Sequence, residues 1–330
     1  MRMKFHKSLV CGIIAILLLT QTSCMDLAGL RKFTDSSVEA GKKFKALSQD
    51  PYRNCAIRVY YQETKDDKFR TIKVFSSPAE YLKTADPTDR QDCERRKERW
   101  ANLQEANKIL MTYLYVMGTL AADDVANTDS QFTTIKGHVS TLSGSDPVFS
   151  AAFGIANTIT NILLDSKRRK GIKNAILDSN GNVTTVTIKL SEALDGYIIE
   201  LEREREDLIL MYAEALAVKN EFNRELCCQN RADRCKNAEG SDNPNVCVFR
   251  FNDALALLSS RSLVETEAQS INAKIKAAKA YQKVLMEIRD GHNELFLEAQ
   301  RGFNDKQAIK IALKYAPAIQ DNFDELVAAF

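Results

Sequence analysis

The sequence predicts an all-α protein: an elongated bundle of long antiparallel helices with coiled-coil-like seams. Three observations carry this. Leu190, Leu194, Tyr197, Leu201, Glu204, Leu208, Met211, Ala215, Val218 and Phe222 alternate in steps of four and three, and nine of the ten are apolar or aromatic, the pattern of a helix packed lengthwise against others. Trp100, Leu103, Asn107, Leu110, Leu114, Met117 and Ala121 repeat that pattern, beside a second stripe of Ala106, Ile109, Tyr113, Val116 and Leu120. The 330 residues include only 6 prolines and 13 glycines, so little punctuates the chain. From Val183 to Leu226 no proline occurs and Gly196 is the only glycine. A helix of that length runs roughly 65 Å at 1.5 Å per residue, and other helices must lie along it.

The chain starts with a targeting pattern. Arg2, Lys4 and Lys7 precede an apolar run from Leu9 to Leu19, followed by Thr20-Gln21-Thr22-Ser23-Cys24. The run has signal-peptide length and is short for a bilayer span. The small residues before Cys24 make residues 1–24 resemble the leader of a bacterial lipoprotein precursor, with Gln21 where that family usually carries leucine. The resemblance covers the leader alone. It implies removal of residues 1–23, lipidation (palmitate among the acyl groups) of Cys24 as the mature N-terminus, and a membrane-anchored place in the bacterial cell envelope. That place is periplasmic or at the cell surface, the outer membrane being preferred to the inner. An ordinary cleaved signal peptide and an uncleaved short anchor are the rival readings. Taking the three leader cations from the 46 basic residues leaves 43 against 44 acidic ones, a net charge of −1, and this balance gives no footprint for nucleic acid.

Of eight cysteines, Cys11 lies in the leader and Cys24 at the lipid position. Cys55, Cys93, Cys227, Cys228, Cys235 and Cys247 remain, an even number that suggests disulfides in an exported protein. Adjacent Cys227 and Cys228 would strain if joined to each other, so each is assigned to Cys235 or Cys247, leaving Cys55 for Cys93. A four-cysteine zinc site is the rival, disfavoured by neighbouring cysteines and the lack of a repeated C-x-x-C.

The elements follow in order. Leu27, Leu30, Phe33, Val38, Phe44 and Leu47 form a helical face expected to end before Pro51, close behind Cys24. Ala56 to Tyr61 and Phe69 to Phe75 flank Lys65-Asp66-Asp67-Lys68 and permit a small β-hairpin over residues 55–75, with a helix from Cys55 to Tyr61 as the alternative. Pro78 to Pro87 reads as a loop with one helical turn. Thr88 to Asp124 is the second long helix, its Asp89 and Asp92 suiting the positive N-terminal end; Asn107 either sets register or points outward. Asn127 to Leu142 reads as a shorter helix. The Ser143–Pro147 turn leads into Val148 to Leu164, very apolar but broken by Asn157, Thr158, Thr160 and Asn161. That segment is either a buried helix or a bilayer-inserting one flanked by Lys167-Arg168-Arg169-Lys170. Ser179 to Asn182 reads as a turn before the organising helix, whose Glu202-Arg203-Glu204-Arg205-Glu206 reads as a solvated face. A polar, disulfide-bearing loop at 227–247 joins it to a return helix, Phe249 to Gln300, breakable near Ser259 to Ser262. Asn304-Asp305 caps a last helix that Pro317 should kink. Residues 24–330 are thus expected to form one elongated helical domain.

Motifs for catalysis do not occur: there is no H-E-x-x-H, G-x-S-x-G, G-x-x-x-x-G-K-[ST] or G-x-G-x-x-G. His138 and His292, the two histidines after the leader, stand far apart, and His292 reads as a satisfied core residue. The expectation is a non-enzymatic, lipid-anchored helical binding or scaffold module for another protein, without cofactor or metal. The runner-up is a membrane-active protein, pore-forming or bilayer-perturbing, that uses the apolar 148–164 segment; a hydrolase built from scattered carboxylates is third.

Overall fold

The computed structural model describes residues 27–66, 78–122, 137–140, 146–164, 168–230 and 251–329. The fold is all-α. Among the described residues there are eight helices and no strand: α1 (Ala28–Lys42), α2 (Phe44–Asp66), α3 (Pro78–Leu82), α4 (Pro87–Ala122), α5 (Pro147–Leu164), α6 (Arg168–Asn230), α7 (Phe251–Gln300) and α8 (Asp305–Ala328). Gly137 to Ser140 add one helical turn.

Local chemistry sets the helix starts. Asp86 accepts the Thr88 amide at 2.8 Å, with Pro87 at the first helical position of α4. Asp146 does the same for the Val148 amide at 3.0 Å ahead of Pro147 and α5. Proline has no amide hydrogen to lose there and its φ is already helical. Asn304 accepts the Lys306 amide at 3.0 Å, the expected cap of α8, while its own amide donates to Glu298 Oε1 at 3.0 Å. The short α7–α8 turn holds Gly302 at φ 124° and the buried Phe303 at φ 59°.

Four expectations are corrected. Residues 55–61 are helical, not the first strand of a hairpin. Cys55, Ala56 and Val59 are buried while Ile57, Arg58 and Tyr60 are not, a spacing of one and four that fits a helix face and breaks a strand's alternation. The proposed second strand, Phe69 to Phe75, lies outside the described residues. Pro51 lies inside α2; the helix boundary falls at Lys43 instead, and Pro51 occupies the third turn of the new helix. Ser179 to Asn182 form no turn but continue α6. Two of the polar side chains have partners: Ser179 bonds the Ala175 carbonyl at 2.6 Å and Asn180 bonds His292 at 3.0 Å. With those groups satisfied, the usual turn preference of Ser and Asn is overridden. Likewise α7 runs unbroken through Ser259 to Ser262.

The described residues fall into two compact units. The first is made of the described residues within Met1–Gly41, Lys108–Thr187 and Met286–Asp321. Its core includes Leu30, Phe33, Ile109, Tyr113, Ile155, Ile172, Val183 and Ile288. Close helix packing here depends on absent side chains. A Cβ on Gly29 would stand 2.9 Å from the Ile309 carbonyl oxygen, and one on Gly41 would overlap the Met111 sulfur. In α5, Val148, Ala152, Ile155, Ile159 and Ile162 are buried, whereas Phe153, Asn157 and Asn161 share the exposed stripe. Thr158 and Thr160 return their hydroxyls to carbonyls one turn back. The segment is thus a buried amphipathic helix. Among the described residues no helix is long and apolar enough to cross a membrane.

The second unit is made of the described residues within Lys42–Asn107, Ile188–Leu285 and Asn322–Phe330. An aromatic chain forms its centre: Phe44 packs on Tyr281 and Trp100 with ring centroids 5.3 and 6.1 Å apart, and Trp100 meets Tyr197 edge to face at 5.6 Å. Asn107 is buried and accepts the Tyr281 hydroxyl at 2.6 Å, so it does not point outward. A satellite core gathers Cys55, Ala56, Val59, Tyr81, Leu82, Ala85 and Cys93. Cys55 and Cys93 form the expected disulfide, tying α2 to α4.

Candidate functional site

Among the described residues, each unit holds an interior cluster of polar and titratable side chains, and the two clusters differ in kind.

In the first unit, Tyr113 of α4, Ser179 of α6 and His292 of α7 meet where all three are buried. The seam spacing of α4 places Tyr113 inward, and one polar turn of α6 supplies both Ser179 and Asn180. Tyr113 Oη lies 2.8 Å from His292 Nε2 and 2.7 Å from Ser179 Oγ, and His292 Nδ1 lies 3.0 Å from Asn180 Oδ1. Asn180 directs its amide nitrogen to Asn293, so its oxygen accepts from Nδ1–H. Nε2 is then the acceptor for the Tyr113 hydroxyl, and the imidazole is neutral. Burial holds the ring in that form, lowering its pKa to about 4, and burial raises the Tyr113 phenol above its ordinary value. Serine, histidine and tyrosine are here saturated by one another. The arrangement locks the register of three helices, as expected for His292, and presents no activated nucleophile.

In the second unit, Asp50 and Asn54 on one face of α2 meet Tyr197 and Glu204 of α6 and Lys274 of α7. Tyr197 donates to Asp50 Oδ2 at 2.7 Å, and Lys274 Nζ lies 3.0 Å from Asp50 Oδ1 and 2.9 Å from Oδ2. Arg53 pairs with Glu267 at 3.6 Å. Glu204, exposed by only 2%, has both carboxyl oxygens buried without a hydrogen-bond partner. Asn54, one turn along α2 from Asp50, is 3% exposed and acts on the Tyr197 phenol. Burial pushes the Glu204 carboxyl up to about 7; Lys274 and Arg53 oppose the rise, and Asp50 and Glu267 add to it. Burial and the neighbouring Asp50 carboxylate also raise the Tyr197 phenol. This is the one interior acid, among the described residues, whose charge nothing adjacent is committed to balance.

Sequence reading missed this cluster. Glu204 was assigned to a solvated run, although it was the single polar position of the ten-residue seam; that exception was the available signal. Asp50 was placed at a helix end because of Pro51, which hid its inward face. The residues singled out from sequence divide differently. Cys55 and Cys93 are brought together. Cys227 and Cys228 belong to the end of α6, but their side chains, with Cys24, Cys235, Cys247 and the 231–250 loop, lie outside the described residues. So does the Asn127 to Leu142 helix, apart from Gly137 to Ser140.

Among the described residues no group of three or more His, Cys, Asp or Glu is placed to hold a metal ion. A surface depression lies at the α7–α8 turn, lined by Glu298, Arg301, Gly302, Phe303, Asn304, Asp305 and Lys306. It is open to solvent, and its carboxylate and amide groups serve the helix cap described above. No family model, curated protein or solved structure matches the chain.

Proposed function

We propose that the chain is an exported, lipid-anchored helical protein of a bacterial envelope, serving without catalysis as a binding or scaffold module for another protein. The observation that carries the export reading is the Cys55–Cys93 bridge, enclosed in a core at 3% and 0% exposure. Disulfides persist in oxidising compartments and are rare where thiols are kept reduced. The leader ending at Cys24 supplies the matching address, and α1 begins at Ala28, only a few residues beyond it.

The scaffold reading is supported by how the polar chemistry is used. The His292 cluster is occupied with joining helices, and charged side chains on long helices pair across the surface, as in Lys283–Glu325 and Arg53–Glu267. The rival, bilayer insertion by α5, would require that helix to surrender the burial of Val148, Ala152, Ile155 and Ile159.

Labelling with a radioactive fatty acid, followed by membrane fractionation, tests the reading. The wild-type chain should incorporate label and sediment with membranes, and Cys24→Ala should lose both. Label in the alanine variant would overturn the anchor. Dye release from liposomes by the mature protein would replace the scaffold reading with the membrane-active one.

A further inference from the structure

We propose that Glu204 is a proton-operated latch in the second unit: as the neutral acid it packs against α2, and on ionising it draws the Lys274 ammonium from Asp50 and loosens α2.

The argument begins with commitments. Lys274, the cation nearest in role, is held by both oxygens of Asp50, and Asp50 also receives the Tyr197 hydroxyl. Arg53 is paired with Glu267. The groups acting on Glu204 are therefore Asp50, Arg53 and Tyr61 from α2, Glu267 and Lys274 from α7, and Tyr197 from its own helix. Two are acids, and both cations already serve those acids. A carboxylate enclosed without donor or counter-ion is costly, so the packed state is the protonated one. That fits a seam position, where a neutral acid is tolerated among apolar neighbours and a charge is not.

Loss of the proton to solvent leaves a buried anion next to one shared ammonium. Two carboxylates competing for one cation in a low-dielectric interior cannot both be satisfied. The element held by the losing contact is α2, because Asp50 anchors it to Tyr197 and Lys274. The raised Glu204 pKa, about 7, sets the response near neutrality. The sign follows: the folded state binds this proton more tightly than the unfolded one, so the stabilisation is complete below the ordinary carboxylate range and declines as pH rises through about 7.

Hydrogen exchange of the full mature chain, corrected for intrinsic rates and followed over Tyr52 to Tyr61, reads the latch. Wild-type protection should fall about fivefold or more between pH 5.5 and 8, and Glu204→Gln, a permanently neutral isostere, should hold it at both pH values. Equal wild-type protection at the two pH values overturns the proposal, as does a glutamine variant that keeps the fall. Should the variant fail to fold, carbon-13 carboxyl resonances of the wild type decide. A Glu204 midpoint near neutrality supports the latch, and one in the ordinary carboxylate range ends it.

Discussion

Tyr197 donates its phenolic hydrogen to Asp50 at 2.7 Å, bridging 147 positions of sequence between α2 and α6. The contact matters because Asp50 simultaneously holds Lys274, and both partners of that ion pair are about 15% exposed or less. At pH 5.5, where the Glu204 acid is neutral and cannot take its place, removing the carboxylate would strand a largely buried ammonium. Asp50→Ala should therefore cost about 3–5 kcal/mol, against about 1 kcal/mol for Tyr197→Phe, which deletes one hydrogen bond and leaves the pair. Urea unfolding of the two variants checks this; equal losses would mean that water already satisfies Lys274.

The disulfide makes a separate prediction. Cys55 and Cys93 are 38 residues apart, and closing a loop of that size removes about 4 kcal/mol of unfolded-chain entropy on the chain-entropy account. Cys55→Ser with Cys93→Ser should lower the stability of the second unit by that order, while the helices persist by circular dichroism. Peptide mapping without reductant should recover the two cysteines in one cross-linked fragment; free thiols there would place the protein in a reducing compartment.

Helix class and most helix positions were legible in the sequence because burial against other helices imposes a 3.6-residue period, and long seams average out local exceptions. The seam through Leu190, Leu194, Tyr197 and Leu201 is wholly buried. Local signals failed where tertiary contacts outvoted them. Pro51 gives up one interior backbone hydrogen bond of α2 but is itself buried there, and Ser179 and Asn180 exchange a turn's hydrogen bonds for partners on other helices. The candidate site was hidden for the same reason: charge patterning around Glu204 describes a surface, and only the packing of α2 against α6 turns one of those charges inward. The Cys55–Cys93 pairing was reached by elimination, because cysteine spacing elsewhere left no other partner.

The first unit should respond to pH in the opposite sense to Glu204. Burial lowers the His292 pKa to about 4, so the native state holds the neutral ring where the unfolded chain would protonate it. Its stabilisation is complete above the ordinary histidine value of about 6.5 and declines as pH falls from there toward 4. Denaturation monitored in this unit should show stability falling with acid across that window. Tyr113→Phe, which removes the hydroxyl bonded to Nε2, should destabilise the unit by about 1–3 kcal/mol. A C2 proton resonance of His292 that titrates near 6.5 would contradict this burial.

Two glycines of the first unit should answer alanine with opposite signs. Gly181 sits within α6, and a Cβ there would meet no atom within 4 Å. Alanine at that position gains helix propensity and loses nothing, so Gly181→Ala should stabilise by about 0.5–1 kcal/mol. Gly29 also lies in a helix, α1, yet its Cβ would stand 2.9 Å from both the carbonyl oxygen and the Cγ2 of Ile309 and 3.1 Å from Leu313 Cγ. A backbone carbonyl cannot rotate aside as a flexible side chain can, so α1 must shift from α8. Gly29→Ala should cost about 1–3 kcal/mol despite the same propensity gain. Thermal or urea unfolding of both variants, measured beside the wild type, separates the effects. A stabilised Gly29→Ala would show that α1 and α8 pack less closely than the structure places them.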